Sequence, residues 1–127
     1  MLNKKLIGLT TVIVDDEIPI LEILGLMVKL KFNYVYLHDN VDDALETLKT
    51  VTPDLAMIDG NIGTRSGEEL IKHMHDFYRF DKTTVVSMSA SYAFNRMMSM
   101  EYGAIAMEKP FDMTELDPLI AKFGRGR

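Results

Sequence analysis

Four kinds of position in this chain could do chemistry together. They are the acidic pair Asp15-Asp16, the carboxylate of Asp59, the hydroxyl of Ser89 and the amine of Lys109. A single carboxylate at the end of an apolar run is more often a solvated residue than a functional one. The ordered company changes that reading, because each of these groups lies at the carboxyl end of a short, mostly apolar stretch. Carboxylates held close together repel, and the arrangement is stable only if a proton or a cation relieves it. Hard oxygen donors without His or Cys beside them favour Mg²⁺ over zinc. A carboxylate nucleophile, Mg²⁺, an ammonium and a hydroxyl together make a set suited to phosphoryl transfer.

The elements that must position these groups can be read from the pattern around them. Leu55-Ala56-Met57-Ile58-Asp59 lies between Pro53 and Gly60 and has no polar residue before its last. It predicts a strand buried on both faces, at the centre of a parallel sheet, with Asp59 at its carboxyl end. Thr10–Val14 predicts a first strand ending in Asp15-Asp16, and Tyr34–His38 a second. Thr83–Met88 predicts a fourth, ending at Ser89-Ala90, and Ala104–Met107 a fifth, ending at Glu108-Lys109-Pro110. Between them the spacing predicts helices. The first starts near Pro19, with Ile20, Ile23, Leu24, Met27 and Leu30 as its apolar stripe. The second follows a cap at Asp39 or Asn40 and turns Val41, Ala44, Leu45 and Leu48 inward. The third starts at Ser66 or Gly67 and packs through Leu70, Ile71, Met74 and Phe77. The fourth runs from Tyr92 to Tyr102, stopped by Gly103. The last begins near Asp112 or Thr114, with Pro118 in its first turn or Asp117 as its cap. Strands alternating with helices imply a parallel sheet with right-handed crossovers, whose carboxyl edge gathers Asp15, Asp59, Ser89 and Lys109.

Composition narrows the class. The 127 residues fit one domain over 1–127, with a core of about 9–123, and the apolar fraction of 47% supports one sizeable interior. There is no cysteine, so disulfide and thiolate chemistry are excluded. A net charge of −5 argues against a general nucleic-acid surface, and the Lys4-Lys5 pair and the Arg125/Arg127 tail are too small to reverse it. The N-terminus does not read as a signal peptide and no run is long enough to span a membrane. A cytoplasmic location is the expectation.

The ordered set Val14-Asp15-Asp16-Glu17, Met57-Ile58-Asp59, Gly67, Met88-Ser89-Ala90 and Lys109-Pro110-Phe111 resembles the response-regulator receiver domains of two-component signalling, from Val12 to about Phe123. That resemblance implies a flavodoxin-like (βα)5 doubly wound sandwich, with a parallel five-stranded sheet in the order 2-1-3-4-5. It implies that Asp59 is the phosphoacceptor, charged by a histidine kinase or a phosphotransfer protein. Asp16, Asp59 and the Asn61 backbone carbonyl would bind Mg²⁺, with Asp15 acting through water. Lys109 and Ser89, with the Ala90 backbone, would hold the phosphoryl oxygens and start a switch. Output would pass by protein contact, through a helix 4/strand 5/helix 5 face carrying Phe94, Met98 and Tyr102. A homodimer is left open, and neither nucleic acid nor membrane is an expected partner.

The chain departs from the family pattern at three places. Ala106 stands where the family usually has an aromatic, three positions before the lysine, with Met107 and Tyr102 as the substitutes considered. The Ser89-to-Lys109 interval is a residue or two short, and Gly63 replaces a frequent proline. His73 and His75 read as surface residues and His38 as a solvated or core-edge histidine, while Arg65 reads equally as solvated or as reaching the phosphoryl site. On the fourth helix, Ala93, Met97 and Met100 form one stripe and Phe94, Met98 and Tyr102 another; one of them must pack on the sheet. Two other functions compete with the phosphoacceptor. One is a degenerate receiver that only binds partners. The other is a Mg²⁺-dependent aspartyl phosphohydrolase, disfavoured because Asn61 stands where a second aspartate would be needed.

Overall fold

The computed structural model describes residues 6–78 and 82–124, so the Lys4-Lys5 pair and the Arg125-Gly126-Arg127 tail lie outside the described residues. Five strands, β1 (Leu6–Val14), β2 (Phe32–His38), β3 (Leu55–Asp59), β4 (Thr84–Ser89) and β5 (Ile105–Glu108), form one parallel sheet in the order β2-β1-β3-β4-β5. Five helices connect and follow them: α1 (Ile18–Lys29), α2 (Val41–Leu48), α3 (Glu68–Tyr78), α4 (Tyr92–Tyr102) and α5 (Leu116–Gly124). The doubly wound flavodoxin-like architecture and its strand order are as expected.

The strands alternate between two cores, as a sheet covered on both faces must. Ile13, Met57, Val86 and Met88 face one core, which Leu24, Val28, Leu119 and Phe123 complete. Val12, Val14, Ala56, Ile58 and Val85 face the other, closed by Val41, Leu48, Leu70, Met74 and Met98. All of β3 is buried. Local chemistry sets the helix ends. Asn40 caps α2 by accepting from the Asp43 N–H, and Ser91 caps α4 by accepting from the Phe94 N–H. Gly103 ends α4 with φ of 78°, the left-handed conformation that glycine adopts without steric cost. Pro118 lies in the first turn of α5, after a short 3₁₀ turn over Met113–Glu115.

Three expectations about packing are corrected. The buried stripe of α1 is Leu21, Leu24, Gly25 and Val28, whereas Ile23 and Leu30 face solvent. Periodicity could not choose between two apolar stripes on one helix; Gly25 does, because a Cβ there would lie 2.7 Å from a Leu37 methyl of β2. Phe77 is 72% exposed rather than core. It sits in the last turn of α3, beside the His73 ring with centroids 4.6 Å apart. On α4 the inward stripe is Phe94, Met98 and Tyr102, with Met98 fully buried. Met98 therefore cannot serve a docking face, and the apolar residues α4 presents to solvent are Tyr92, Met97 and Met100.

Candidate functional site

The site lies at the carboxyl edge of the sheet, where β1, β3, β4 and β5 stop together. The register sets Asp59 of β3 beside Met88 of β4, and Ser89 of β4 beside Glu108 of β5. Asp15, the first residue after β1, is fully buried, and Asp59 is 6% exposed. Lys109 follows β5 and reaches back across the edge. Its Nζ lies 2.8 Å from Asp15 Oδ2, 3.3 Å from Glu17 Oε1 and 3.4 Å from Asp59 Oδ1. One ammonium thus relieves two buried carboxylates, Asp15 and Asp59, and an exposed third, Glu17. The Lys109–Pro110 peptide after it is cis.

Close packing of backbone shapes the floor. The Gly60 N–H donates to the Met88 carbonyl, and the Gly67 N–H to the Gly60 carbonyl. A Cβ on Gly67 would collide with the backbone oxygen of Asp59, so only glycine fits there. A Cβ on Gly60 would lie 3.1 Å from Ser89 Oγ, which places that hydroxyl against the backbone just after Asp59. The segment between these glycines is more ordered than a bare loop. Asn61–Ile62 and Arg65–Ser66 form a two-stranded antiparallel ladder. Arg65 does not turn to the site: it holds this hairpin to α2 and α3 through Asp42 and a two-pronged contact with Glu69. His38 is a core-edge histidine at the end of β2, its Nε2 2.8 Å from the Thr47 hydroxyl. Burial lowers its pKa, against the charges of Asp43 and Asp39.

Electrostatics follow from the burial. The Asp59 carboxyl is pushed up to about 6, first by burial and then by the charge of Asp15, with Lys109 pulling the other way. Burial also works against the Lys109 ammonium, but the hydrogen bond and charge of Asp15, supported by Asp59 and Glu17, hold its pKa above the usual lysine value. The three oxygens contributed by Asp15, Glu17 and Asp59 lie within 4.8 Å of one another. An all-carboxylate donor set of this compactness suits a hard divalent cation such as Mg²⁺. Glu17 belongs to this group although sequence reasoning assigned it no role. The available signal was its place in the run Asp15-Asp16-Glu17, directly after two strand-end carboxylates.

Asp16 is placed differently from Asp15 and Asp59. It is exposed, and its Oδ2 accepts from the Gly63 N–H at 2.8 Å. Gly63 has φ of 65°. Proline, frequent at this position in the family, could neither donate that hydrogen bond nor adopt that angle. Asn61 follows Asp59 directly after Gly60, and its N–H lies 3.4 Å from Asp59 Oδ1. Ser89 Oγ accepts from the Ser91 N–H at 3.0 Å, and Ala90 lies exposed between them at the same edge.

A second feature adjoins the site. Ala106, in place of a larger side chain, leaves a cleft of about 380 Å³ between α4 and β5, walled by Tyr92, Arg96, Met100 and Glu108. Neither Met107 nor Tyr102 fills it. Met107 is buried on the opposite side of the sheet, and the Tyr102 hydroxyl donates to Glu68 at 2.8 Å. Beneath the cleft, buried Asn95 ties α4 to both strands. Its Oδ1 accepts from the Ser87 hydroxyl, and its Nδ2 donates to the Ser89 carbonyl at 3.0 Å and the Met107 carbonyl at 3.4 Å.

A five-stranded doubly wound sheet with a buried aspartate, an acidic neighbour, a hydroxyl and a lysine at its carboxyl edge defines a class of signalling module. Residues 11–121 match the response regulator receiver domain family, and the chain belongs to that family. Solved structures agree at the level of the fold. The response regulatory domain of protein mrkE from Klebsiella pneumoniae is 20% identical, with a TM-score of 0.77 over 91% of this chain and 95% of that one. A CheY-like receiver domain from Methylobacillus flagellatus is 23% identical, with a TM-score of 0.73 over 91% of this chain and 98% of that one. The chemotaxis response regulator CheY4 of Vibrio cholerae is 17% identical, with a TM-score of 0.72 over 91% and 98%.

Proposed function

We propose that this chain is a single phosphoacceptor receiver unit, working in the cytoplasm, that takes a phosphoryl group onto Asp59 and signals by protein contact. The observation that carries this reading is the position of Asp59. It ends the central strand, nearly buried, between a carboxylate partner and the Lys109 ammonium. In the transfer, an Asp59 carboxylate oxygen forms a bond to phosphorus while the donor's phosphorus–nitrogen bond breaks; the donor is a phosphohistidine of a kinase or phosphotransfer protein. Bound Mg²⁺ would neutralise the charge that develops on the transferring oxygens. Asp59, Asp16 and the Asn61 carbonyl would hold it directly and Asp15 through water; in the structure Asp16 accepts from the Gly63 N–H. Lys109 exchanges part of its contact with Asp59 for a phosphoryl oxygen, which keeps one positive charge beside a group carrying roughly −1.5 to −2.

The readout we infer runs through the start of α4. When the Ser89 hydroxyl turns to donate to a phosphoryl oxygen, the Ser91 N–H is deprived of its acceptor at the start of α4. Tyr92, the next residue, borders the cleft over Ala106, so a loosened α4 start re-shapes a surface of Tyr92, Met97 and Met100. Ala106 therefore bears on how the switch is read and leaves the phosphorylation chemistry intact. The test is intact mass after incubation with acetyl phosphate and Mg²⁺. A single base-labile adduct in wild type and none in Asp59→Asn is the expected result. No adduct in wild type, with beryllofluoride binding also absent, would favour a receiver that has lost its chemistry.

A further inference from the structure

The solvent face of α1 is built like one half of a helix pair. Pro19, Ile23, Leu26 and Leu30 are exposed, Leu26 to 67%, and recur at spacings of four, three and four. That is the a/d spacing of a two-helix seam. The opposite stripe, Leu21, Leu24, Gly25 and Val28, is already used against the sheet. An apolar stripe left outward on a helix that has spent its other stripe on the core marks an interaction surface.

The charges identify the occupant. Within Ile18–Lys29 the only charged side chains are Glu22 and Lys29, both exposed. They lie seven residues apart, so they share one flank of the seam with exposed Ile18, while the other flank carries Ile20 and Met27, half-buried against the core and without charge. A two-fold axis that sets two α1 helices antiparallel brings like flank against like flank. Glu22 then meets the other copy's lysine at position 29, Lys29 meets its glutamate at position 22, and the apolar flanks meet each other. A parallel pair would set the charged flank against the apolar one. A partner helix of uniform charge would satisfy only one of the two residues. We infer that the exposed stripe of α1 is an antiparallel, two-fold interface for a second copy of this chain. The inference is independent of phosphorylation.

A twelve-residue helix is only about 18 Å long, so the contact belongs to the small, exchanging class of interfaces. Sedimentation velocity on the full chain, from roughly 1 to roughly 200 μM, should show a monomer passing into a dimer. Leu26→Glu should remain monomeric throughout. Glu22→Lys and Lys29→Glu should each weaken the dimer about tenfold, because each creates two like-charge contacts. The double variant Glu22→Lys/Lys29→Glu should restore it. A wild type that stays monomeric over the whole range overturns the interface, whether another segment or another protein covers the stripe. A dimer that survives Leu26→Glu overturns its location, and a double variant that fails to recover overturns the antiparallel pairing. All three positions are exposed, and circular dichroism on each variant separates lost association from lost fold.

Discussion

At Asp59 burial and chemistry oppose each other. Its folded pKa of about 6 lies above the ordinary carboxylate value of 3.8. The folded chain therefore holds that proton more tightly than the unfolded chain does. Ionised Asp59 opposes folding fully above pH 6, partly between 6 and 4, and not at all below about 4. Asp59→Asn should accordingly raise the melting temperature at pH 7, by at most about 3 kcal/mol of stability. The gain should shrink as the pH falls from 6 towards 4. Thermal melts across that window check the sign, and an equal gain at pH 4 would mean that charge is not the cause. Gly67 carries the opposite risk. Gly67→Ala drives a Cβ into the Asp59 carbonyl, and a cost of about 2 kcal/mol or more is expected from the forced backbone shift. The midpoint of urea unfolding measures it.

The critical element is α4. Its buried Asn95 is the one side chain that hydrogen-bonds both β4 and β5 from the helix among the described residues. Asn95→Leu should cost about 2 kcal/mol or more, since it takes the acceptor from the buried Ser87 hydroxyl and one donor from the Met107 carbonyl, while the Ser89 carbonyl keeps the Lys109 N–H. It should also raise amide hydrogen exchange throughout α4. The start of the same helix depends on Ser89 and Ser91. Beryllofluoride with Mg²⁺ should speed exchange at Ser91 and Tyr92 in wild type and leave it unchanged in Ser89→Ala, which cannot make the switch. An unchanged wild-type pattern would sink the proposed route through Tyr92.

For the whole molecule, the site joins the ends of four strands, so a ligand there stabilises the complete sheet rather than one loop. Mg²⁺ should raise the melting temperature, by about 2.7 kcal/mol of stability at a hundredfold excess over its dissociation constant. The rise should vanish in Asp59→Asn. Calorimetric titration of Asp16→Asn and Glu17→Gln then distinguishes the two remaining carboxylates. The expected outcome is a roughly tenfold loss of Mg²⁺ affinity in Asp16→Asn and a smaller one in Glu17→Gln, in line with the influence of individual ligands and their supports. The reverse order would make the group of Asp15, Glu17 and Asp59 the working metal set.

The sequence by itself determined the layer architecture and the site's main members. Runs such as Leu55–Ile58 can be stable only when both faces are covered, and strand-ending Asp15, Asp59, Ser89 and Lys109 must then share one edge. The cap at Asp39 or Asn40 and the stop at Gly103 were legible because each meets a local backbone need, whereas the Ser91 cap emerged only with the structure. What tertiary structure alone decided were matters of which neighbour stands opposite. On α1 two apolar stripes compete, and the contact of Gly25 with Leu37 settles which one turns inward. On α4 the buried Asn95 and Met98 choose the face, against an equally apolar stripe of Ala93, Met97 and Met100. The grouping of Glu17 with Asp15 and Asp59, and the turning of Asp16 to Gly63, depend on distances between segments far apart in the chain. Periodicity records the faces a helix has; only packing selects the face that is used.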